Sequence, residues 1–79
     1  MKSFYHFLMK FRHPAPKDDI SEFANNAYVD HSFPKNSKDY EEVSSYLELN
    51  GHYLPSMQIF DQAWETYLFQ EEKNKNDDY

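Results

Sequence analysis

The side chains able to do chemistry in this 79-residue chain are scattered rather than grouped. Its histidines are His6, His13, His31 and His52, and it has no cysteine. No two of those histidines stand at the i, i+3 or i, i+4 spacing by which a helix presents two ligands to one metal, so no metal site is expected. The carboxylate pairs Asp18-Asp19, Glu41-Glu42, Glu71-Glu72 and Asp77-Asp78 are sequence neighbours. On a helix such neighbours point in different directions, whereas general acid–base work needs carboxyls that converge in a desolvated cleft. The serines lie in no nucleophile-elbow context, and the single glycine cannot build a phosphate-cradling loop. The chain reads as a non-enzyme, with no cofactor and no small-molecule substrate expected.

What remains is charge. Residues 1–38 carry six Lys or Arg against four Asp or Glu, and residues 39–79 carry two against ten, giving +2 and −8 within a net charge of −6. Lys10, Arg12 and Lys17 flank the Pro14–Pro16 turn with His13 beside them, and Lys35 and Lys38 sit in a later loop near His31. If those two loops converge, they form one basic patch able to take phosphates despite the acidic whole. With four or five phosphate contacts, log K would fall with log salt at a slope of about −4. The bland reading is that these cations compensate helix dipoles and solvate loops. The acidic runs Asp39-Glu41-Glu42 with Glu48, and Asp61-Glu65 with Glu71-Glu72, would repel nucleic acid and attract a basic protein surface, or simply solvate helix faces.

These groups must be positioned by helices. Phe4, Phe7, Leu8 and Phe11 recur at i, i+3, i+4 and i+7, which predicts a first helix over Ser3–Arg12 with Ser3 as N-cap, stopped by Pro14 and Pro16. Asp19 and Glu22 read as a capping box for a second helix, edged by Ile20, Phe23, Ala24 and Ala27 and ending near Val29 or Asp30. Asn36 and Ser37 offer a cap for a third helix through Tyr40, Val43, Tyr46 and Leu47. That helix closes at Gly51 in the left-handed conformation. A fourth runs from Pro55 or Ser56 with Met57, Phe60, Trp64, Tyr67 and Leu68 on one face, and Trp64 as the core anchor. Past Leu68 little is apolar, so residues 71–79 are expected to form a frayed or disordered acidic tail on a single domain of residues 1–70. The fold class is all-α, a compact bundle of four or five short helices.

Aromatics make up 19% of the chain, more than a core of this size readily encloses, so Tyr5, Tyr28, Tyr53 or Phe33 is a candidate exposed stacking residue. Phe33, beside Pro34 and Lys35, is either a plug closing the bundle or a partner anchor. The N-terminus has no apolar signal-like run and no stretch reaches the ~18 apolar residues of a membrane span, so the expected location is cytoplasmic, away from any membrane.

With the helices placed, the strings Phe4-Tyr5-His6-Phe7-Leu8-Met9-Lys10-Phe11-Arg12-His13-Pro14 and Phe60-Asp61-Gln62-Ala63-Trp64-Glu65-Thr66-Tyr67 resemble the YozE family of small bacterial proteins. So do Ile20-Ser21-Glu22-Phe23-Ala24, Asp30-His31-Ser32-Phe33-Pro34-Lys35 and Ser44-Ser45-Tyr46-Leu47-Glu48. The resemblance covers residues 3 to about 68 and implies a fold similar to sterile alpha motif (SAM) domains. It carries no enzymatic activity and no catalytic residues. The expected role is a binding module for a protein partner through complementary acidic and basic faces. The alternative is nucleic-acid binding through the candidate patch Lys10, Arg12, His13, Lys17, Lys35 and Lys38.

Overall fold

The computed structural model describes the backbone of residues 1–76 and side chains as far as Lys73. Four α-helices follow in order, α1 Phe4–Leu8, α2 Asp19–Val29, α3 Tyr40–Asn50 and α4 Met57–Asn76, and no strand occurs among the described residues. The all-α bundle is the architecture that the apolar spacing predicts.

Each helix begins and ends for a local reason. Ser3 Oγ accepts the His6 N–H at 3.1 Å and caps α1 as expected. The α geometry then lasts only to Leu8, and Met9–Phe11 tighten into a 3₁₀ turn, instead of continuing as α-helix to Arg12. Pro14 holds the residue before it extended, and a chain that must leave a helix so early commonly tightens its last turn.

For α2 the cap is Asp18, not Asp19. The Asp18 carboxylate accepts the Ser21 N–H at 3.0 Å while Ser21 Oγ accepts the Asp18 N–H at 3.1 Å, so Ser21 fills the position expected of Glu22. Buried Ser21 also accepts the Lys17 N–H, at 3.1 Å. Its hydrogen bonds hold the Asp18 carboxyl below the ordinary value.

Asp39, rather than Asn36 or Ser37, caps α3, accepting the Glu41 N–H at 3.1 Å. Ser37 instead ties the loop to the start of α1, since its Oγ accepts the Asp39 N–H at 3.1 Å and its carbonyl accepts the Phe4 N–H at 3.1 Å. Gly51 does end α3, but with φ −88° and ψ 46° instead of the expected left-handed conformation. Its requirement is steric, because a Cβ there would lie 2.6 Å from the Leu47 carbonyl oxygen and 3.0 Å from Leu47 Cδ2.

Ser56 Oγ accepts the Gln58 N–H at 3.1 Å and opens α4. The helix runs past Leu68 to Asn76. Long-range bonds support the extension: the Tyr67 hydroxyl donates to the Lys2 carbonyl, and the Lys2 N–H donates to Glu71 Oε1 at 2.7 Å. Of the tail expected over 71–79, residues 77–79 lie outside the described residues.

Phe4 is the centre of the core. Its ring lies 5.1 Å from Trp64, 5.5 Å edge-on from both Phe60 and Tyr67, 5.8 Å from Phe7 and 6.2 Å from Phe23. Tilted and edge-to-face geometries of this kind add to plain area burial. Ala24 and Ala27 are fully buried, and their small side chains let neighbouring elements approach α2 closely. Phe33 is only 3% exposed and packs on Tyr5 and Tyr46 at 5.5 and 5.8 Å, so it is the plug and not the partner anchor. Leu68, placed by its spacing on the core face, is 46% exposed. It follows Tyr67 by 100° around the helix, which carries it off the buried side.

Candidate functional site

The two basic loops join α1 and its 3₁₀ turn at opposite ends. The loop holding Lys35 and Lys38 is bonded through Ser37 to the first residue of α1, whereas Arg12, His13 and Lys17 leave from the other end. The length of α1 and its 3₁₀ turn, roughly 13 Å, lies between them. Lys10 turns to a third place, with Nζ 3.3 Å from Gln70 Oε1 of α4 and 5.6 Å from the Phe7 ring. Lys35 Nζ donates to the His31 carbonyl at 3.0 Å and lies 5.6 Å from the Tyr5 ring. The candidate patch is therefore three separate groups of cations.

One of these groups borders a cleft. Between the end of the 3₁₀ turn and the last turns of α2 a concavity of about 540 Å³ is lined by Met9, Arg12, His13, Pro14, Asn25, Tyr28 and Val29. The Arg12 guanidinium lies 4.0 Å from the centre of the Tyr28 ring, within cation–π range. Stacking leaves the edge of the planar guanidinium fork able to receive a carboxylate. Asn25 fixes the loop by accepting the His13 N–H at 3.1 Å and donating to the His13 carbonyl at 2.8 Å. His13 Nδ1 accepts the Ala15 N–H at 3.0 Å, which leaves Nε2 as the proton-bearing nitrogen of the neutral ring. Tyr28 and Val29 are 51% and 64% exposed, so aromatic and aliphatic surface lies open beside the Arg12 cation.

A carboxylate holds the α2 wall of this cleft in place. Asp30, directly after Val29, has Oδ1 and Oδ2 at 2.8 and 2.7 Å from the Tyr46 hydroxyl, and Oδ2 accepts from Tyr53 at 2.8 Å. The Ser32 N–H donates to Oδ1 at 3.2 Å. Partial burial alone would raise the Asp30 pKa; the bonds from Tyr46, Tyr53 and Ser32, with the charge of Lys35, outweigh it and hold the carboxyl below its ordinary value. Burial and the same carboxylate push Tyr46 up to about 12 and raise Tyr53 as well. The end of α2 is thereby pinned to α3 and to the α3–α4 loop.

A family model described as the YozE SAM-like fold matches residues 3–69. The chain belongs to that family. A UPF0346 protein of Bacillus licheniformis is 72% identical over 68 residues, 86% of this chain and 93% of the relative. The UPF0346 protein YozE of Bacillus subtilis is 70% identical over 67 residues, 85% of this chain and 90% of the relative. A UPF0346 protein of Listeria innocua is 59% identical over 75 residues, 95% of this chain and 97% of the relative. The solution NMR structure of yozE from Bacillus subtilis matches with a TM-score of 0.75 at 70% identity, covering 85% of this chain and 82% of that one.

The YozE SAM-like family is described by a fold and by no activity, and the match indicates no catalytic family. Among the described residues, no three His, Cys, Asp or Glu side chains are grouped as a metal would need, and no helix is long and apolar enough to cross a membrane.

Of the residues singled out by sequence, Arg12, His13 and Tyr28 meet at the cleft, while Lys10, Lys35 and Lys38 do not. Tyr53 is engaged with Asp30, and Tyr5 lies between Phe33 and Lys35. Met9, Asn25 and Val29 escaped sequence reasoning. Met9 follows Tyr5 by four residues, off the Phe4–Phe7–Leu8 stripe, and that second stripe of α1 is the signal that could have found it.

Proposed function

We propose that this domain is a non-catalytic binding module whose cleft between the 3₁₀ turn and α2 accepts an acidic, partly apolar surface of a protein partner. The observation that carries this reading is the Arg12 guanidinium stacked on exposed Tyr28 at the cleft rim. Arg and aromatic side chains are the types that dominate interface energetics, and a positioned guanidinium receives a carboxylate without further ordering. Met9 and Val29 supply apolar area beside it. Nucleic-acid binding through Lys10, Arg12, Lys17, Lys35 and Lys38 has less support, because Lys10 is bonded to Gln70 of α4 and Lys35 to the His31 carbonyl, away from the cleft.

The test is a backbone amide NMR titration of the full chain with a synthetic peptide alternating Glu with Leu and Phe, and separately with a short DNA duplex, at low and moderate salt. Shifts confined to residues 9–14 and 25–29 with the peptide, lost in Arg12→Glu, are the expected result. Salt-sensitive shifts at 10–17 and 35–38 with the duplex, and none with the peptide, would replace this reading with the nucleic-acid one.

A further inference from the structure

The cleft has a counterpart on the same molecule. Around α4, Glu65, Leu68, Phe69 and Glu72 fall within one arc of roughly 100°, turned away from buried Phe60, Ala63 and Tyr67. Phe69 is 69% exposed and Leu68 is 46% exposed, so two apolar side chains stand between two carboxylates that are about 10 Å apart along the axis. This is the inverse of the cleft, where Met9, Tyr28 and Val29 lie beside Arg12 and His13. A chain cannot place its own stripe in its own cleft. Gln70, which reaches Lys10, lies at least 100° around α4 from Phe69, and a continuous helix from Met57 to Asn76 does not fold back.

Resting on the reading of the cleft given above, we propose that its occupant is the Glu65–Glu72 stripe of α4 from a second copy of this chain, so that the domain associates head to tail. Carboxylates of the stripe meet Arg12 and the His13 Nε2–H, and Phe69 and Leu68 cover Met9, Tyr28 and Val29. Cleft and stripe are different surfaces, so the contact is heterologous, and each added copy leaves one cleft and one stripe open for the next. A contact of a few side chains on each side is transient and builds short chains only at high protein concentration.

The experiment is sedimentation equilibrium of the full chain up to about 1 mM, the range in which weak specific contacts register. It compares wild type, Arg12→Glu, Phe69→Ser and an equimolar mixture of the two variants, all altered at exposed positions. The wild-type average mass should climb with concentration past that of a dimer. Each variant alone should stay at 9.6 kDa, and the mixture, with one intact cleft and one intact stripe, should stop at a dimer. A wild type that stays monomeric, variants that associate as wild type does, or a mixture that stays monomeric would each overturn the proposal. Adding the Glu-Leu-Phe peptide to monomeric wild type separates the two readings. Shifts at 9–14 and 25–29 would reject the second copy as occupant and keep the cleft, and their absence would reject both.

Discussion

Phe4 and Trp64 show how differently two aromatics can weigh in one core. Trp64 is the largest side chain and the natural anchor by size, yet it is Phe4 that touches rings from α1, α2 and α4 at once. Phe4→Ala should therefore cost about 3–5 kcal/mol, the upper range for a large-to-small core substitution, and in a domain this small that approaches the whole stability. Urea unfolding checks it; a loss below ~1 kcal/mol would show that the cavity collapses at little cost. Trp64→Ala should fall in the same range, about 3–5 kcal/mol, because its ring contacts Phe4, Phe60 and Tyr67 in the same cluster. The periodicity of Phe4, Phe7 and Leu8 made this burial legible in advance. It could not rank the residues, because the number of elements meeting at one ring is a property of the packed bundle.

Helix ends carry their own predictions. At Gly51 the left-handed geometry expected of a lone glycine is absent, and the residue is needed because the Leu47 carbonyl leaves no room for a Cβ. Gly51→Ala should destabilise by roughly 1–3 kcal/mol through this overpacking, readable as a lower melting temperature with the far-UV circular dichroism unchanged. A glycine needed only for positive φ would show a similar loss, so the discriminating observation is that Asn, which tolerates left-handed backbone, rescues nothing here.

The C-terminal half of α4 makes a second case. Composition past Leu68 reads as a solvated tail, but Tyr67 and Glu71 grip the backbone of Lys2 from the opposite end of the chain. Tyr67→Phe keeps the buried ring and leaves that carbonyl without its donor, at a cost of about 1–2 kcal/mol. Amide hydrogen exchange should show lost protection at residues 1–4 and along 70–73 together; loss at only one of them would mean that the two ends are not coupled.

At the scale of the whole molecule, Asp30 joins α2, α3 and the α3–α4 loop through Tyr46 and Tyr53. Its carboxyl titrates below the ordinary 3.8, so the folded state binds this proton more weakly than the unfolded chain does. The stability it contributes is fully present above about pH 4 and is lost as pH falls through the lowered value. Tyr46, raised to about 12 from 10.0, works in the other direction: its contribution is complete below pH ~10 and is lost as pH rises towards 12. Asp30→Asn should lower stability at neutral pH and flatten the acid limb of the melting temperature profile. It should also loosen the cleft wall, seen as exchange broadening at Tyr28 and Val29. An unchanged acid limb would place the acid sensitivity elsewhere.

The four helices, their order and most of their buried faces follow from the sequence by itself, because a 3.6-residue period and proline or glycine stops are local facts that survive any packing. The split of the cations into three groups, the meeting of Arg12 with Tyr28, the plug at Phe33 and the long α4 were decided only in three dimensions. Each depends on which ends of helices lie together, and Asp18 with Ser21 shows that even a cap shifts by one residue to the side chains that can bond each other's N–H. Spacing along a chain says which side of a helix is apolar. It does not say what will stand opposite.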